Sequence, residues 1–238
     1  MSGFAAHPLL ADFGGAFEFI FHRQSSNVTE HKVGGLHQVF ELALTQIEVS
    51  IVALAIATIV AVPIGLYFGH KGVGEGLAVA LGNASRAVPE LAAIALIAAV
   101  VGVGFETLAI VLAVLGIPPI LTNTFTGIRQ VDRSTVEAAR GIGMTEFEVL
   151  RKVEVPMAVA GLMSGIRTSS INIIATATIA PLAGVVTLGA FIIDEGVYGA
   201  NGALAGSIVV VIIALIFEFA LAGLQRQLTS KGLRLQAR

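Results

Sequence analysis

The chain has no cysteine and no tryptophan, and only 13% of its 238 residues are charged. Without cysteine there is no disulfide and no thiol catalysis, although this says little about the cell compartment. Soluble domains carry nearer a quarter charged residues. Together with a mean hydropathy of +0.89 and uncharged apolar runs of about 20 residues, the low charge predicts an all-α, polytopic membrane helical bundle.

Several other features that would point to a function or to secretion are also missing from the sequence. The net charge is −2, so there is no basic surface for nucleic acid. The histidines show no i, i+4 pair, the spacing that a helical metal site uses, and no metal is expected. The first 22 residues contain no lysine or arginine, whereas a signal peptide starts basic. A phosphate-binding G-x-x-x-x-G-K-[ST] loop is also missing.

The apolar runs predict five membrane spans. They cover 49–68, 76–102, 107–128, 156–182 and 203–224. The second span contains Pro89, and only about 14 apolar residues follow Glu90, too few to cross alone. A helix that starts near Gly76 and is kinked or broken at Pro89 is therefore expected. The glycine-rich segment 184–202 predicts a short re-entrant or surface helix.

Lysine and arginine set the expected orientation. They concentrate in the turn at 70–75, in the charged loop at about 129–155 and in the tail at 227–238. By the positive-inside rule these parts are cytoplasmic, and the N-terminus lies outside. The predicted organisation is an external or interfacial segment at 1–41, a transmembrane domain at 42–226, and the basic tail.

The N-terminal segment has an aromatic cluster of Phe17, Phe19, Ile20 and Phe21. This favours an interfacial helix with its aromatic side among lipid headgroups. A frayed terminus is the alternative.

The stretch STVEAARGIGMTEFEVLRKVEVP, residues 134–156, interrupts this apolar sequence with acids and bases. The pairs Ser134-x-x-Glu137 and Thr145-x-x-Glu148 match capping boxes, which predict two short helices in succession. A plain loop does not need two capped helices, so a docking surface for a soluble partner is the better interpretation. For Glu137 itself, a capping role and a docking role both remain open.

The two helices have recognisable ends. Gly141 and Gly143 are predicted to stop the first helix, and Pro156 begins the next span, where its missing N–H costs nothing. Ala138 and Ala139 keep one side of the first helix small enough for another backbone to approach. The second helix places three apolar residues on one face: Phe147, Leu150 and Val153.

The same stretch resembles the EAA signature of permease subunits of ABC importers. The signature residues Glu137, Ala138, Ala139 and Gly143 and the closing Val-Glu-Val-Pro at 153–156 keep its spacing, with Val replacing Ile and Leu. Three further segments resemble the osmoprotectant, or quaternary-amine, branch of that family. They are ASRAVPELAAIALI, PPILTNTFTGIRQVD and AGLMSGIRTSSINIIATATIAPLAG.

This resemblance implies the five-span core of a type I importer and several partners. These are a second permease subunit, identical or paralogous, a cytoplasmic ATPase dimer, and an external substrate-binding protein. ATP and Mg²⁺ would be bound by the ATPase, and this chain would be a non-enzymatic transmembrane subunit. The solute would be a small osmoprotectant such as glycine betaine, choline or carnitine. An amino-acid or other small-solute permease, and less so a proton-coupled secondary transporter, are the alternatives.

The resemblance also implies which residues dock on the ATPase. They are Glu137, Ala138, Ala139, Gly141, Gly143, Met144, Phe147 and Pro156.

Polar and helix-breaking residues inside the predicted spans are the candidates for the pathway or a gate. They are Arg86, Pro89, Glu90, Asn172 and Thr176. Ionisable residues at membrane depth are costly and usually face the interior of the bundle. Arg86 and Glu90 either brace a broken helix or gate the pathway. Asn172 and Thr176 either line the pathway or bond between helices. Arg167 is expected to be structural, at the interface or against the charged stretch.

Overall fold

The computed structural model describes residues 12–26, 28, 31–76, 78, 80, 82–83 and 89–229. The regular secondary structure of those residues is helical apart from one short antiparallel hairpin near the N-terminus. The elements are α1 (Phe13–Phe21), β1 (Arg23–Ser25), β2 (Lys32–Gly34), α2 (Leu36–Lys71), α3 (Glu90–Val101), α4 (Phe105–Arg129), α5 (Arg133–Gly141), α6 (Glu146–Val149), α7 (Val155–Thr176), α8 (Gly189–Ile193) and α9 (Glu195–Leu228).

Helix α2 packs along α4 through a stripe of small residues. Val49, Ala53, Ala57, Ala61, Gly65 and Gly69 recur every fourth residue and are buried. A Cβ on Gly65 would lie 2.7 Å from Cβ of Thr124, and one on Gly69 would lie 2.8 Å from Cβ of Ile128. Small residues at this spacing let membrane helices approach closely. The position of α2 against α4 therefore depends on the absence of side chains along this stripe.

Helix α7 lies against another face of α4 in the same way. Gly161 and Gly165 form a G-x-x-x-G pair on α7. A Cβ on Gly161 would meet Cα of Gly127 at 2.9 Å, and one on Gly165 would meet Cα of Ile120 at 3.0 Å. The central helix α4 is thus held between α2 and α7.

The structure revises the limits of the predicted spans. Among the described residues, three helices are long and apolar enough to cross a membrane: α2, α4 and α9. Helix α2 begins at Leu36, well before the expected start at residue 49. The second predicted span breaks where expected, because α3 begins directly after Pro89 and has only 12 residues. The fourth span, α7, is long enough but carries Arg167, Asn172 and several Ser and Thr. The five-span count therefore stays a prediction for α3 and α7.

The last predicted span and the segment before it are also more divided than expected. The described chain leaves α7 through a 3-10 helix, Ala177–Ala183, and then forms the short α8. Helix α9 starts at Glu195, before the expected residue 203, and has a non-helical Gly199 inside it (φ 70°). The short helix predicted within 184–202 is present as α8.

The N-terminal helix α1 is ordered against the bundle, so the frayed alternative is wrong for these residues. Phe19 is buried and makes an edge-on contact with Phe191, with ring centroids 5.2 Å apart. Phe13, Phe17 and Phe21, which follow at intervals of four, are instead exposed. The aromatic cluster therefore divides between a face that anchors α1 to α8 and α9 and a face that is exposed in the described chain.

Arg167 is structural, as expected, but its partners lie on α9 and not in the charged stretch. Its expected position at the membrane interface stays a prediction. Its Nε lies 3.1 Å and 3.2 Å from the two carboxylate oxygens of Glu218 on α9, and its Nη1 donates to Gln225 at 2.7 Å. An ion pair between two apolar helices satisfies both charges where water is scarce. This contact joins α7 to α9.

Candidate functional site

Helix α5, which carries the Glu-Ala-Ala residues, is capped by Asp132 and not by Ser134. The carboxylate of Asp132 accepts hydrogen bonds from the Ser134 amide at 2.9 Å and from the Ser134 hydroxyl at 2.7 Å. Asp is as good an N-cap as Ser, and its charge also suits the positive end of the helix. These bonds lower the pKa of Asp132. The prediction that Ser134 and Glu137 form a capping box is wrong, and Glu137 is exposed.

The end of α5 confirms the stop at Gly143 but not at Gly141. The Gly143 amide donates to Arg140 O at 2.9 Å and the Met144 amide donates to Ala139 O at 3.2 Å. This is the Schellman arrangement, which places a left-handed residue just past the helix. Gly143 has φ 90°, whereas Gly141 is the last helical residue. Only glycine adopts such a φ freely.

Helix α6 has the predicted capping box. The Glu148 amide donates to the Thr145 hydroxyl at 3.3 Å, and the Thr145 amide donates to the Glu148 carboxylate at 3.1 Å. A bond from Lys152, at 2.8 Å, and those from Thr145 lower the pKa of Glu148 to about 2. Because this pKa is depressed, the stabilisation is complete above the ordinary value of 4.5 and is lost only as the pH falls towards about 2. The cap therefore holds throughout the physiological range.

Helix α6 runs into α7 without a turn, which the sequence did not predict. A π-helical turn, Leu150–Glu154, joins the two. Pro156 lies in the first turn of α7 within this continuous helix. A proline ring clashes with the carbonyl of the residue four positions earlier in a regular α-helix, and the wider π turn lies where that clash would fall. The π turn also shifts the helical register. Leu150 and Val153 pack inward, whereas Phe147 is exposed. The prediction that these three residues share one face is therefore wrong.

Residues 132–156, which we call the coupling segment, combine a buried face and an exposed face. The buried face includes Val136, Ala139 and Val149 and packs on the ends of α4 and α7, with Met144 partly buried beside it. Ala139 is therefore not part of an open face, contrary to the prediction for the alanine pair. Six exposed residues form what we call the docking face: Glu137, Ala138, Gly141, Ile142, Gly143 and Phe147.

Two large apolar side chains stand out on the docking face. Ile142 is 77% exposed and Phe147 is 68% exposed. Sequence analysis missed Ile142, although an isoleucine between two stop glycines has no helical neighbour to cover it. Exposed apolar side chains beside charged groups make the docking face a candidate contact surface.

Charged groups hold the two short helices in place. Arg140 of α5 binds both carboxylate oxygens of Glu146 of α6, with N–O distances of 3.0 Å and 2.9 Å. These bonds lower the pKa of Glu146. His70, at the end of α2, contacts both Glu146 and Glu154. The coupling segment is therefore fixed to the first long helix as well as to α7.

Three of the candidate pathway residues meet in one cavity of about 180 Å³ between α3, α4 and α7. Glu90, Asn172 and Thr176 line it, together with Thr122, Asn123 and Thr168. The Thr176 hydroxyl donates to the Glu90 carboxylate. Glu90 is the only ionisable residue among the described lining residues. The lining is thus mixed, because leucine, isoleucine and proline side chains also contribute.

The remaining candidates are placed differently. Pro89 is the residue before α3 and lies next to this cavity in sequence. Arg86 lies outside the described residues, so the predicted pair with Glu90 stays a prediction. Thr176 is only 4% exposed, and its bond to Glu90 joins α7 to α3. Thr176 therefore bonds between two helices and also lines the cavity.

These features define an integral membrane subunit with a coupling segment on one end and a polar cavity within the helices. A family model described as the inner membrane component of binding-protein-dependent transport systems matches residues 61–231. The chain belongs to this family of multi-pass inner membrane permease subunits of ABC transporters.

Two relatives illustrate the relationship. The glycine betaine/carnitine/choline transport system permease protein OpuCB of Bacillus subtilis is 37% identical over 187 residues, covering 78% of this chain and 86% of the relative. The carnitine transport permease protein OpuCB of Listeria monocytogenes is 37% identical over 187 residues, with the same 78% and 86% coverage.

A solved structure has the same fold. The permease of the MetNI methionine ABC transporter, in an inward-facing conformation, superposes with a TM-score of 0.70 at 21% identity. The match covers 82% of this chain and 98% of that chain. Identity this low supports the fold alone.

Proposed function

We propose that this chain forms part of the translocation pathway of an ATP-driven importer for a small osmoprotectant such as glycine betaine, choline or carnitine. The observation that carries this proposal is the 36–37% identity to osmoprotectant, choline and carnitine permeases over most of each chain. Residues 42–226 would be the permease domain, 1–41 an external or interfacial segment, and 227–238 a basic tail, of which residues 230–238 lie outside the described residues.

The docking face is the proposed contact with a cytoplasmic ATPase dimer, which binds ATP and Mg²⁺. Exposed Ile142 and Phe147 offer apolar anchors for a groove on the partner, and the small Ala138, Gly141 and Gly143 let its backbone approach. Helix-in-groove recognition uses this combination of anchors on one helical face. Glu137 would then be a docking residue, since Asp132 performs the capping.

The proposed orientation places this contact in the cytoplasm. The coupling segment and the turn after α2 share one end of the bundle, because His70 contacts Glu146 and Glu154. Gln225 near the end of α9 bonds to Arg167 near the middle of α7. These ends carry most of the lysine and arginine of the loops, which agrees with the positive-inside rule. The N-terminus would lie outside, facing the external substrate-binding protein.

The polar cavity is proposed as part of the solute pathway. On α7, Ser164, Thr168 and Asn172 follow at intervals of four and are exposed in the single chain. Polar side chains in a membrane helix avoid lipid and face a bundle interior or an aqueous cavity. This stripe would therefore face the second permease subunit and the pathway between the two. Glu90 supplies negative charge to a passing trimethylammonium group.

Substituting Asn172 tests the pathway assignment. We expect Asn172→Leu to lower the rate of uptake about tenfold, because a lost polar contact of roughly 1.4 kcal/mol corresponds to that factor. Co-purification with the ATPase should be unchanged. Initial uptake rates in proteoliposomes measure the effect. Ile171→Leu is the matched control, since Ile171 is exposed on the same helix but does not line the cavity. Equal rates for both variants would remove Asn172 from the pathway.

The function itself is tested with the purified complex of permease, ATPase and binding protein. We expect ATP-dependent accumulation of radiolabelled glycine betaine, choline or carnitine in proteoliposomes, and none with an ATPase that cannot hydrolyse ATP. Accumulation of amino acids alone would identify an amino-acid permease. Accumulation that persists without the ATPase and follows a proton gradient would identify a secondary transporter. Either result would overturn the osmoprotectant importer.

A further inference from the structure

His70 lies at the junction between the first long helix and the coupling segment, and its ring is nearly buried. The side chain is 7% exposed and that of Glu154 is 4% exposed. Its Nδ1 lies 2.6 Å from Glu154 Oε2, and its Nε2 lies 3.0 Å from Glu146 Oε2. One imidazole ring thus bridges α6 and the π turn that leads into α7.

Both ring nitrogens lie at hydrogen-bond distance from carboxylate oxygens. The shorter contact is with Glu154, which is nearly buried, whereas Glu146 is about half exposed and is already bound by Arg140 through both of its oxygens. The contact between His70 and Glu154 is therefore the main link across this junction, and the contact with Glu146 adds to it.

We propose that His70 is a positioning residue that clamps α2 to the coupling segment, so that both move as one unit when a docked ATPase moves the docking face. The inference rests on the proposed function, because the ATPase supplies the force. Val62 and Leu66 of α2 also pack against the apolar cluster beneath the coupling segment. Apolar contacts allow sliding, whereas the hydrogen bond with Glu154 and the contact with Glu146 fix the position of the coupling segment on α2.

Several basic residues lie close to this junction. Lys71 follows it on α2 and interacts with Glu146, and Arg140 reaches Glu146 from α5. Arg129 of α4 lies against Gly72. The junction therefore holds cations from three helices beside the two carboxylates that the ring contacts.

The test measures the number of solute molecules moved per ATP hydrolysed by the reconstituted complex. We expect His70→Ala to lower this ratio about tenfold, within the range by which residues remote from the ligands change coupling, while the ATPase still co-purifies. His37→Ala is the matched control, since His37 forms an exposed pair with Glu41 on the same helix. His70→Ala at the wild-type ratio would overturn the proposal.

Two further measurements separate a clamp from a structural residue. In a double-mutant cycle, His70→Ala combined with Glu154→Gln should lower the ratio no further than the worse single variant, because both remove the same contact. His70→Asn, which keeps an N–H donor near the position of Nδ1, should retain more of the ratio than His70→Ala does. Additive losses, or equal ratios for His70→Asn and His70→Ala, would each contradict the clamp.

The design also covers failed folding and failure of the proposed function. If His70→Ala does not insert, Glu154→Gln decides: a wild-type ratio overturns the clamp, and a reduced ratio with the ATPase still bound supports it. If the wild-type complex shows no ATP-dependent uptake of any solute tested, the proposed function falls, irrespective of the His70 variants.

Discussion

We expect Gly143→Asp to abolish solute uptake while the protein still inserts in the membrane, which is the largest effect expected at the coupling segment. Nothing lies within 4 Å of a Cβ added at Gly143, so the new carboxylate projects outward from the docking face. If the ATPase covers that face, the carboxylate becomes a buried, unpaired charge that costs about 3 kcal/mol or more. Affinity for the ATPase should then fall at least about 100-fold.

Co-purification of the ATPase and uptake in proteoliposomes measure this effect, with the amount of permease in the membrane fraction as the folding check. Gly143→Asn is the matched control, because Asn has nearly the same shape, carries no charge and tolerates a positive φ as Asp does. Its loss should be much smaller. Wild-type uptake and ATPase binding by Gly143→Asp would show that the ATPase does not dock here.

Gly165→Leu should produce a large loss of stability. A Cβ at Gly165 would lie 2.8 Å from Cβ of Asn123 and 3.0 Å from Cα of Ile120. The second of these is backbone, so α4 and α7 must separate to admit a side chain. Overpacking of this kind costs about 3 kcal/mol, which corresponds to a fall in melting temperature of roughly 6–10 °C. The polar cavity, lined by the same two helices, should also change shape.

Thermal unfolding of the detergent-solubilised permease measures this prediction. Gly223→Leu on α9 is the control, because Gly223 is also a helical glycine but has nothing within 4 Å of an added Cβ. Its melting temperature should stay within about 2 °C of the wild type. A Gly165→Leu protein as stable as Gly223→Leu would show that α4 and α7 do not depend on close approach at this point.

Local signals predicted several features correctly. The low charge and long apolar runs indicated a membrane helical bundle, Pro89 marked a helix break, and Thr145 with Glu148 formed the expected capping box. The stop at Gly143 was also correct. Each of these signals operates over a few adjacent residues, so the sequence alone specifies it.

The errors came from competing local options. Asp132 and Ser134 are both good caps, and only the backbone path from α4 decides which one reaches the first free amide. The π turn before Pro156 was not predicted, because regular periodicity assumes a constant register. The small-residue stripes at 53–69 and 161–165 were present in the sequence but were not recognised as helix-packing signals, although their four-residue spacing was visible.

The sequence by itself determined the class of protein, the capped interruption in the apolar chain and the sites of its breaks. The class follows from the composition of the whole chain, and the caps, glycines and prolines act within about one helical turn. The tertiary structure decided which side chains meet across helices. Arg167 bonds to Glu218 on α9, Thr176 bonds to Glu90 on α3, and His70 contacts two carboxylates of the coupling segment. These partners lie dozens of residues apart, and only the packing of small-residue stripes sets which helical faces bring them together.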